Sequence, residues 1–260
     1  MPKTASNNRA EWQSEILRFT VFPVAAAAKI DDAWWSSITG EKSESKTIQP
    51  NVLVESGPVQ GGKYRVTLSC TPGRIDWLLS GNIAKEKAEE AVYPLAGNFT
   101  SAMEYFSTLV TKWLPQLPDA NRLALGAVMV CPVKTAAEGY GLFQPFLPSL
   151  KLDPVGSSDF SYSINRPRRS SLSIAGLRIN RLSKWAVVHI QRIQFSAMVG
   201  VAVAPVQQVD VKGAILVARL ETDLSTTWES TDALPRGKLG AIWEELAKCN
   251  AEISQKGDIP

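Results

Sequence analysis

The stretch SAMEYFSTLVTKWLPQLPDANRLALGAVMVCPV, residues 101–133, contains the two patterns that decide the fold class. Its first four residues, Ser101-Ala-Met-Glu104, have the spacing of a capping box at a helix start. Apolar residues then recur at helical intervals, namely Met103, Phe106, Val110, Trp113 and Leu114. From Leu123 to Val133 the chain is a continuous apolar run of strand length, closed by Pro132 and Lys134. A long amphipathic helix followed by a buried strand predicts an α+β protein.

Towards the N-terminus, the pattern predicts strands and one short helix. Ile16–Val24 alternates as a strand, and Asp31 and Asp32 offer an N-cap to a short helix that contains Trp34, Trp35 and Ile38 and closes near Gly40. Residues 41–47 are charged and small, which predicts a loop. A hairpin turn at Gly61-Gly62 joins strands 52–59 and 64–68, and residues 74–79 predict a further strand.

Towards the C-terminus, a similar order of elements follows a loop rich in Gly and Pro at residues 139–148. Strands are predicted at residues 160–165, 177–182, 185–195 and 214–221. A closing helix then places Leu239, Ile242, Trp243, Leu246 and Ile253 on one face. Each half thus ends its strands with one long amphipathic helix. We therefore predict mainly antiparallel sheets and an internal duplication of a strand-helix-strand-strand-helix unit, with halves at residues 1–134 and 135–260 or one continuous domain.

Three C-terminal segments carry a resemblance to a known family. They are Ile215-Leu-Val-Ala-Arg-Leu-Glu-Thr-Asp223, Leu239-Gly-Ala-Ile-Trp-Glu-Glu-Leu246 and Ile253-Ser254. The chain resembles an uncharacterised, sporadically distributed prokaryotic family of duplicated α+β proteins, whose members end in an acidic strand, a helix and a short tail. The resemblance extends to the first strand and to the helix near Trp113. It implies the fold and a bacterial origin, fits an antiviral-defence context, and implies no reaction.

The bulk composition predicts a folded protein of the cytoplasm. The chain has 260 residues, of which 45% are hydrophobic and 20% are charged, with a formal net charge of +3. Cys70, Cys131 and Cys249 are odd in number and far apart, which argues against disulfides and zinc and favours a reducing compartment. The segment 1–18 is polar, and no run of about 18 apolar residues occurs, so neither export nor membrane insertion is expected. No cofactor and no metal site is predicted.

Three motifs are candidate sites of chemistry. The segment Gly57–Lys63 matches the first positions of a phosphate-binding loop, but Tyr64 follows where Ser or Thr would hold magnesium, so a hairpin turn is favoured. His189 is the only histidine and lies in a predicted strand, so a structural histidine is favoured over a catalytic one. Glu221 and Asp223 share one face of a strand, and a solvated strand end is favoured over a cation site.

The strongest candidate is a basic segment without acidic residues between Asp159 and Asp210, in which the phrase Ile-Asn-Arg occurs twice. Its cations are Arg166, Arg168, Arg169, Arg178, Arg181, Lys184 and Arg192. We expect Arg166, Arg168 and Arg169 at one turn, around Pro167, and Arg178, Arg181 and Lys184 at another, with Tyr162 and Trp185 available for stacking. Arginine forks suit phosphates, and aromatic rings suit nucleobases. The segment predicts anion recognition, with a protein interface and an inert surface as the alternatives.

Two functions follow from these patterns. The first is a non-enzymatic binding or assembly protein that docks RNA, single-stranded DNA or an acidic protein on the basic segment, as a homo-oligomer or as a subunit of a complex. The second is an RNA- or nucleotide-processing enzyme in which His189 is the general base and arginines clamp the phosphate. Two consecutive α+β units are similar, at fold level only, to the paired ferredoxin-like domains of CRISPR RNA-processing nucleases.

Overall fold

In the part of the chain that the structure describes, ten antiparallel strands form one sheet that carries the helices. The computed structural model describes residues 10–25, 31–82, 93–190, 214–227 and 232–259. The prediction of strands and helices in a mainly antiparallel α+β protein is confirmed. The strands are β1 (Gln13–Pro23), β2 (Ser45–Gln49), β3 (Val52–Val59), β4 (Tyr64–Thr71), β5 (Arg74–Gly81), β6 (Ala120–Pro132), β7 (Ser161–Asn165), β8 (Arg168–Arg169), β9 (Arg178–Ile190) and β10 (Ile215–Thr227). The helices are α1 (Trp34–Thr39), α2 (Phe99–Trp113), α3 (Ala136–Phe143) and α4 (Leu239–Lys256).

The strand order is β2-β3-β4-β5-β1-β6-β10-β9-β7, with β8 paired to β9. The central strands β1 and β6 both belong to the predicted first half, and β6 also pairs with β10 of the second half over nine residue pairs. The sheet therefore continues across the predicted boundary at residue 134. None of the helices in the described ranges is long and apolar enough to cross a membrane.

The four helices pack on one face of the sheet. Residues directly opposite each other in an antiparallel sheet share a face, and the row Phe19, Leu125, Leu224 and Arg181 therefore points to one side. On that side Phe19 contacts Trp113 of α2 and Trp243 of α4, and Trp185 of β9 contacts Phe143 of α3. We call this side the helix face and the opposite side the open face.

The predicted elements of the first half are present with three differences. The N-cap of α1 is Ala33, without a side-chain hydrogen bond, so the predicted N-cap at Asp31 or Asp32 is wrong. Helix α2 presents its predicted apolar face to the core, but its N-cap is Asn98, whose side chain accepts a hydrogen bond from the Ser101 amide, so the predicted capping box at Ser101 is wrong. Residues 45–49, within or beside the predicted loop, form the edge strand β2. The sequence of this strand does not alternate between apolar and polar residues, because all five side chains are exposed and none faces the core. The hairpin prediction at Gly61-Gly62 is confirmed, with both glycines at positive φ.

In the second half the structure adds a helix and merges two strands. The predicted loop at residues 139–148 overlaps α3, which Thr135 caps by accepting from the Glu138 amide. The strands predicted at residues 177–182 and 185–195 are one continuous strand, β9, as far as residue 190, where the described range ends. Arg178, Arg181 and Lys184 therefore lie inside a strand, and the predicted turn at these residues is wrong.

Candidate binding surface

The two faces of β9 separate the arginines of the basic segment. Burial alternates along this strand: Ile179, Arg181, Ser183 and Trp185 are buried on the helix face, and the residues between them are half-buried or exposed. Arg178 and Lys184 accordingly lie on the open face. A segment that reads as one basic cluster in the sequence is thus divided between the protein interior and its surface.

Arg166 and Arg168 bind the C-terminal part of the chain on the helix face. The Arg166 guanidinium donates two hydrogen bonds to Asp258, at 2.5 and 2.8 Å, and the Tyr162 hydroxyl donates a third, at 2.8 Å. Arg168 donates to Glu252 at 3.1 Å and to the Cys249 sulfur at 2.9 Å. The hydrogen bond from Arg166 is the main reason why the pKa of Asp258 lies below its usual range. These two arginines therefore hold α4 and its tail against the sheet.

Arg181 is buried under α4, with 2% of its surface exposed. Its Nε and Nη1 atoms have no hydrogen-bond partner in the part of the chain that the structure describes. Burial lowers the pKa of this guanidinium, and the nearby charge of Arg168 lowers it further. Arg181 cannot reach an external partner in this arrangement, contrary to the expectation of a surface contact.

The two Ile-Asn-Arg phrases are neighbours across the β7 and β9 pairing. The Asn165 side chain accepts a hydrogen bond from the Arg181 amide at 2.9 Å, and the Arg166 amide donates to the Arg181 carbonyl at 3.2 Å. The phrases therefore stabilise the sheet edge where β7 ends.

The two residues expected to stack on a ligand lie on the helix face. Trp185 is fully buried and packs against Trp12, Phe143 and Phe146. Tyr162 is opposite Trp185 in the register and uses its hydroxyl to bind Asp258. Neither ring faces the open side, so the predicted stacking platform does not form there.

Arg169 and Arg178 remain as a pair of exposed cations. They are directly opposite each other in the pairing of β8 with β9, and they line a concavity of about 430 Å³ together with the loop of residues 170–177. Among the described residues, neither has a carboxylate partner. Lys184 lies further along β9 on the same face, with 48% of its side chain exposed and 3.8 Å from Glu221. We call Arg169, Arg178 and Lys184 the basic surface.

His189 lies apart from this surface. It is exposed near the end of β9, opposite Leu216, and its position alternates with that of Lys184, so the two side chains leave opposite faces of the strand. The geometry therefore does not combine His189 with Arg178 or Lys184 in one site. Arg192, the remaining predicted cation, lies outside the described residues.

The acidic residues of β10 already have basic neighbours. Glu221 accepts a hydrogen bond from Arg219 at 2.6 Å, and Asp223 lies 4.0 Å from Arg18. No group of three or more histidine, cysteine, aspartate or glutamate side chains suited to a metal ion occurs in the ranges that the structure describes.

Sequence reasoning missed a second feature of the open face, at the centre of the sheet. Arg18, Gly126 and Asp223 are consecutive in one row across β1, β6 and β10. They line a depression of about 300 Å³. Gly126 was the available signal, because an isolated glycine in an apolar strand marks a close approach by another group.

Protein-family models, curated proteins and solved structures were compared with this chain. None matches. The resemblance to a prokaryotic family stays a prediction.

Proposed function

We propose that this protein is a non-enzymatic binding protein that docks an anionic partner on the basic surface of Arg169, Arg178 and Lys184. One observation carries the proposal: Arg169 and Arg178 face each other directly across two strands, both exposed. Like charges in that position destabilise a sheet. An anion between the two guanidinium groups would offset the repulsion and accept hydrogen bonds from both forks.

The length of the basic surface suits a partner with several negative charges. Arg178 and Lys184 are six residues apart on one strand, which corresponds to about 20 Å at the rise of about 3.3 Å per residue. RNA, single-stranded DNA and an acidic protein each present charges over such a distance. Since Tyr162 and Trp185 lie on the helix face, contacts to phosphates or carboxylates would supply the affinity.

The order of elements supports internal duplication as part of the same proposal. In the first half, β1 and α1 are followed by strands that end in β5, which pairs antiparallel with β1, and then by α2. The second such unit begins before the predicted boundary at residue 134: β6 and α3 are followed by strands that end in β10, which pairs antiparallel with β6, and then by α4. We further assign the protein to the cytoplasm, because its three cysteines are free thiols.

A charge reversal tests the proposal. The variant Arg169→Glu/Arg178→Glu and the control Lys112→Glu/Lys248→Glu change the net charge equally, and the control lysines lie on the exposed sides of α2 and α4. The probes are a fluorescent oligouridine and a fluorescent poly-glutamate peptide, titrated by anisotropy at about 50 and about 200 mM salt. We expect the first variant to lose about tenfold or more in affinity for at least one probe, and the control to bind like wild type.

The two probes also separate the classes of partner. Binding of oligouridine alone, weakened by salt, would assign a nucleic acid, and binding of poly-glutamate alone would assign an acidic protein. The proposal is wrong if wild type binds neither probe at the lower salt concentration. It is equally wrong if the reversal at Arg169 and Arg178 costs no more affinity than the control.

A further inference from the structure

The depression at the centre of the open face exists because one side chain is missing from a row of neighbours. Gly126 lies between Arg18 of β1 and Asp223 of β10. A Cβ atom placed on Gly126 would lie 3.2 Å from Nη2 of Arg18, so the guanidinium already occupies part of the space that glycine leaves. Because Gly126 has no side chain, the Arg18 guanidinium can approach the backbone of the sheet, and a hollow remains beside it.

Apolar side chains form the floor and rim of this depression. Ile16, Leu78, Val128 and Leu182 line it, and Leu182 is 37% exposed, whereas most large apolar side chains in the described ranges are buried. The volume of about 300 Å³ lies at the lower end of the roughly 300–1,000 Å³ typical of small-molecule sites. Such sites combine an apolar lining with a few polar groups that orient the ligand.

The polar groups of the depression retain unused hydrogen-bonding capacity. Nε of Arg18 is buried and has no acceptor among the described residues. The nearest carboxylate, that of Asp223, is 4.0 Å from Nη2, beyond the distance of a hydrogen bond. Lys184, at the other side of the depression, is 3.8 Å from Glu221, whose carboxylate is already bonded to Arg219. Both cations can therefore accept an additional anionic group.

We propose that the depression above Gly126 binds a small ligand that joins an apolar body to a carboxylate or phosphate group. The anionic group would accept the hydrogen bonds that Arg18 leaves unmade, including the one from the buried Nε. The apolar body would cover Ile16, Val128 and Leu182. This site is separate from the Arg169 and Arg178 pair, and it requires no macromolecular partner.

The test uses four probes that share one aromatic body and differ in charge. Phenyl phosphate and phenylacetate are anions, benzyl alcohol is neutral, and benzylamine is a cation. Ligand-observed NMR and calorimetric titration of the wild-type protein should show binding of the anions, with benzyl alcohol and benzylamine weaker by about tenfold or more. Equal binding of all four would overturn the proposal, because the arginine would then have no role, and so would an absence of binding by both anions.

Three variants locate the site. Gly126→Val fills the hollow with a residue that suits a strand, Arg18→Gln removes the guanidinium, and Leu182→Asp places a negative charge on an exposed rim position opposite Asp223. The thermal transition of each variant, measured alongside, shows that the variant is folded. Each should reduce the affinity for phenyl phosphate by about tenfold or more. Arg65→Gln is the control, since Arg65 lies on the open face in β4 but pairs with Glu44. If Leu182→Asp and one of the other two variants bind phenyl phosphate like wild type, the probe binds outside the depression and the proposal is wrong.

Lys184 belongs to both the depression and the basic surface, so variants that leave Lys184 unchanged distinguish this proposal from the proposed function. Arg169→Glu/Arg178→Glu should bind phenyl phosphate like wild type, and Gly126→Val should bind the labelled polyanions like wild type. Loss of phenyl phosphate binding in the first variant would show that the probe occupies the basic surface and would overturn the separate site.

Discussion

Arg181 shows at the scale of one residue how a charge can enter the core with incomplete hydrogen bonding. It occupies the row of Phe19, Leu125 and Leu224, and its Nε and Nη1 remain without hydrogen bonds among the described residues. A buried charge with incomplete hydrogen bonding costs free energy, which an apolar side chain of similar size avoids. We therefore predict that Arg181→Met raises the free energy of unfolding by about 1–2 kcal/mol. Urea unfolding monitored by tryptophan fluorescence measures it.

The exposed neighbour on the same strand provides the control for this substitution. Arg178→Met should raise the free energy of unfolding by no more than about 0.5 kcal/mol, because Arg178 is exposed and loses only its repulsion from Arg169. A loss of stability in Arg181→Met would show that the guanidinium makes favourable interactions that its contacts do not account for.

At the scale of the element, α4 is held by the tail that follows it. Gly257 adopts a φ of 81°, and the next amide, of Asp258, donates to the Phe146 carbonyl at 2.8 Å. The Asp258 carboxylate then accepts from Arg166 and Tyr162. Because these bonds lower its pKa in the folded state, Asp258 stabilises the protein above the unfolded-state pKa of about 3.9, and this contribution is lost as pH falls through the folded-state value.

The pH dependence of stability tests this anchor. The free energy of unfolding of the wild type should decrease as pH falls from about 5 towards the lower folded-state pKa of Asp258. The variant Asp258→Asn should be less stable at neutral pH, and its free energy of unfolding should decrease less over the same acidic range. Urea unfolding across this pH range measures both effects. Asp119→Asn, at a side chain that is 64% exposed, should reproduce the wild-type curve. If Asp258→Asn loses as much stability as wild type when the pH falls, Asp258 is not the group that stabilises the folded protein above about pH 4.

At the scale of the whole molecule, the sheet joins the two halves of the chain. β6 lies between β1 of the first half and β10 of the second, with antiparallel pairing on both sides. Separation of the halves at residue 134 would leave long, unpaired strand edges. We therefore predict one cooperative thermal transition, with equal calorimetric and van't Hoff enthalpies.

Differential scanning calorimetry of the full chain tests this prediction, with the fragments 1–134 and 135–260 as comparison. Each fragment alone should aggregate or unfold without a cooperative transition, because its central strand lacks a partner. Two resolved transitions in the full chain, or two fragments that each melt cooperatively, would show that the halves fold independently.

The sequence by itself determined the class of fold and most of its elements. Helical spacing of apolar residues placed α2 and α4, alternation placed β1, and a continuous apolar run placed β6. These patterns are local because they follow from the burial of neighbouring residues within one element. The sequence pattern missed α3, whose Gly139 and Gly141 disfavour a helix, yet Gly139 is required because a Cβ there would lie 2.7 Å from Val187. It also misplaced the start of α2, since Asn98 and Ser101 are both good caps and only the structure shows which one bonds.

Only the tertiary structure decided which charges are available to a partner. From sequence, the arginines of the basic segment are equivalent, because solvent exposure is the ordinary expectation for each of them. The register of β9 and the packing of α4 place Arg166, Arg168 and Arg181 in internal contacts, and leave Arg169, Arg178 and Lys184 on the open face. The depression at Gly126 likewise depends on Arg18 and Asp223, which are distant in sequence and become neighbours only through strand pairing. Register between distant strands arises from long-range packing, which local pattern does not encode.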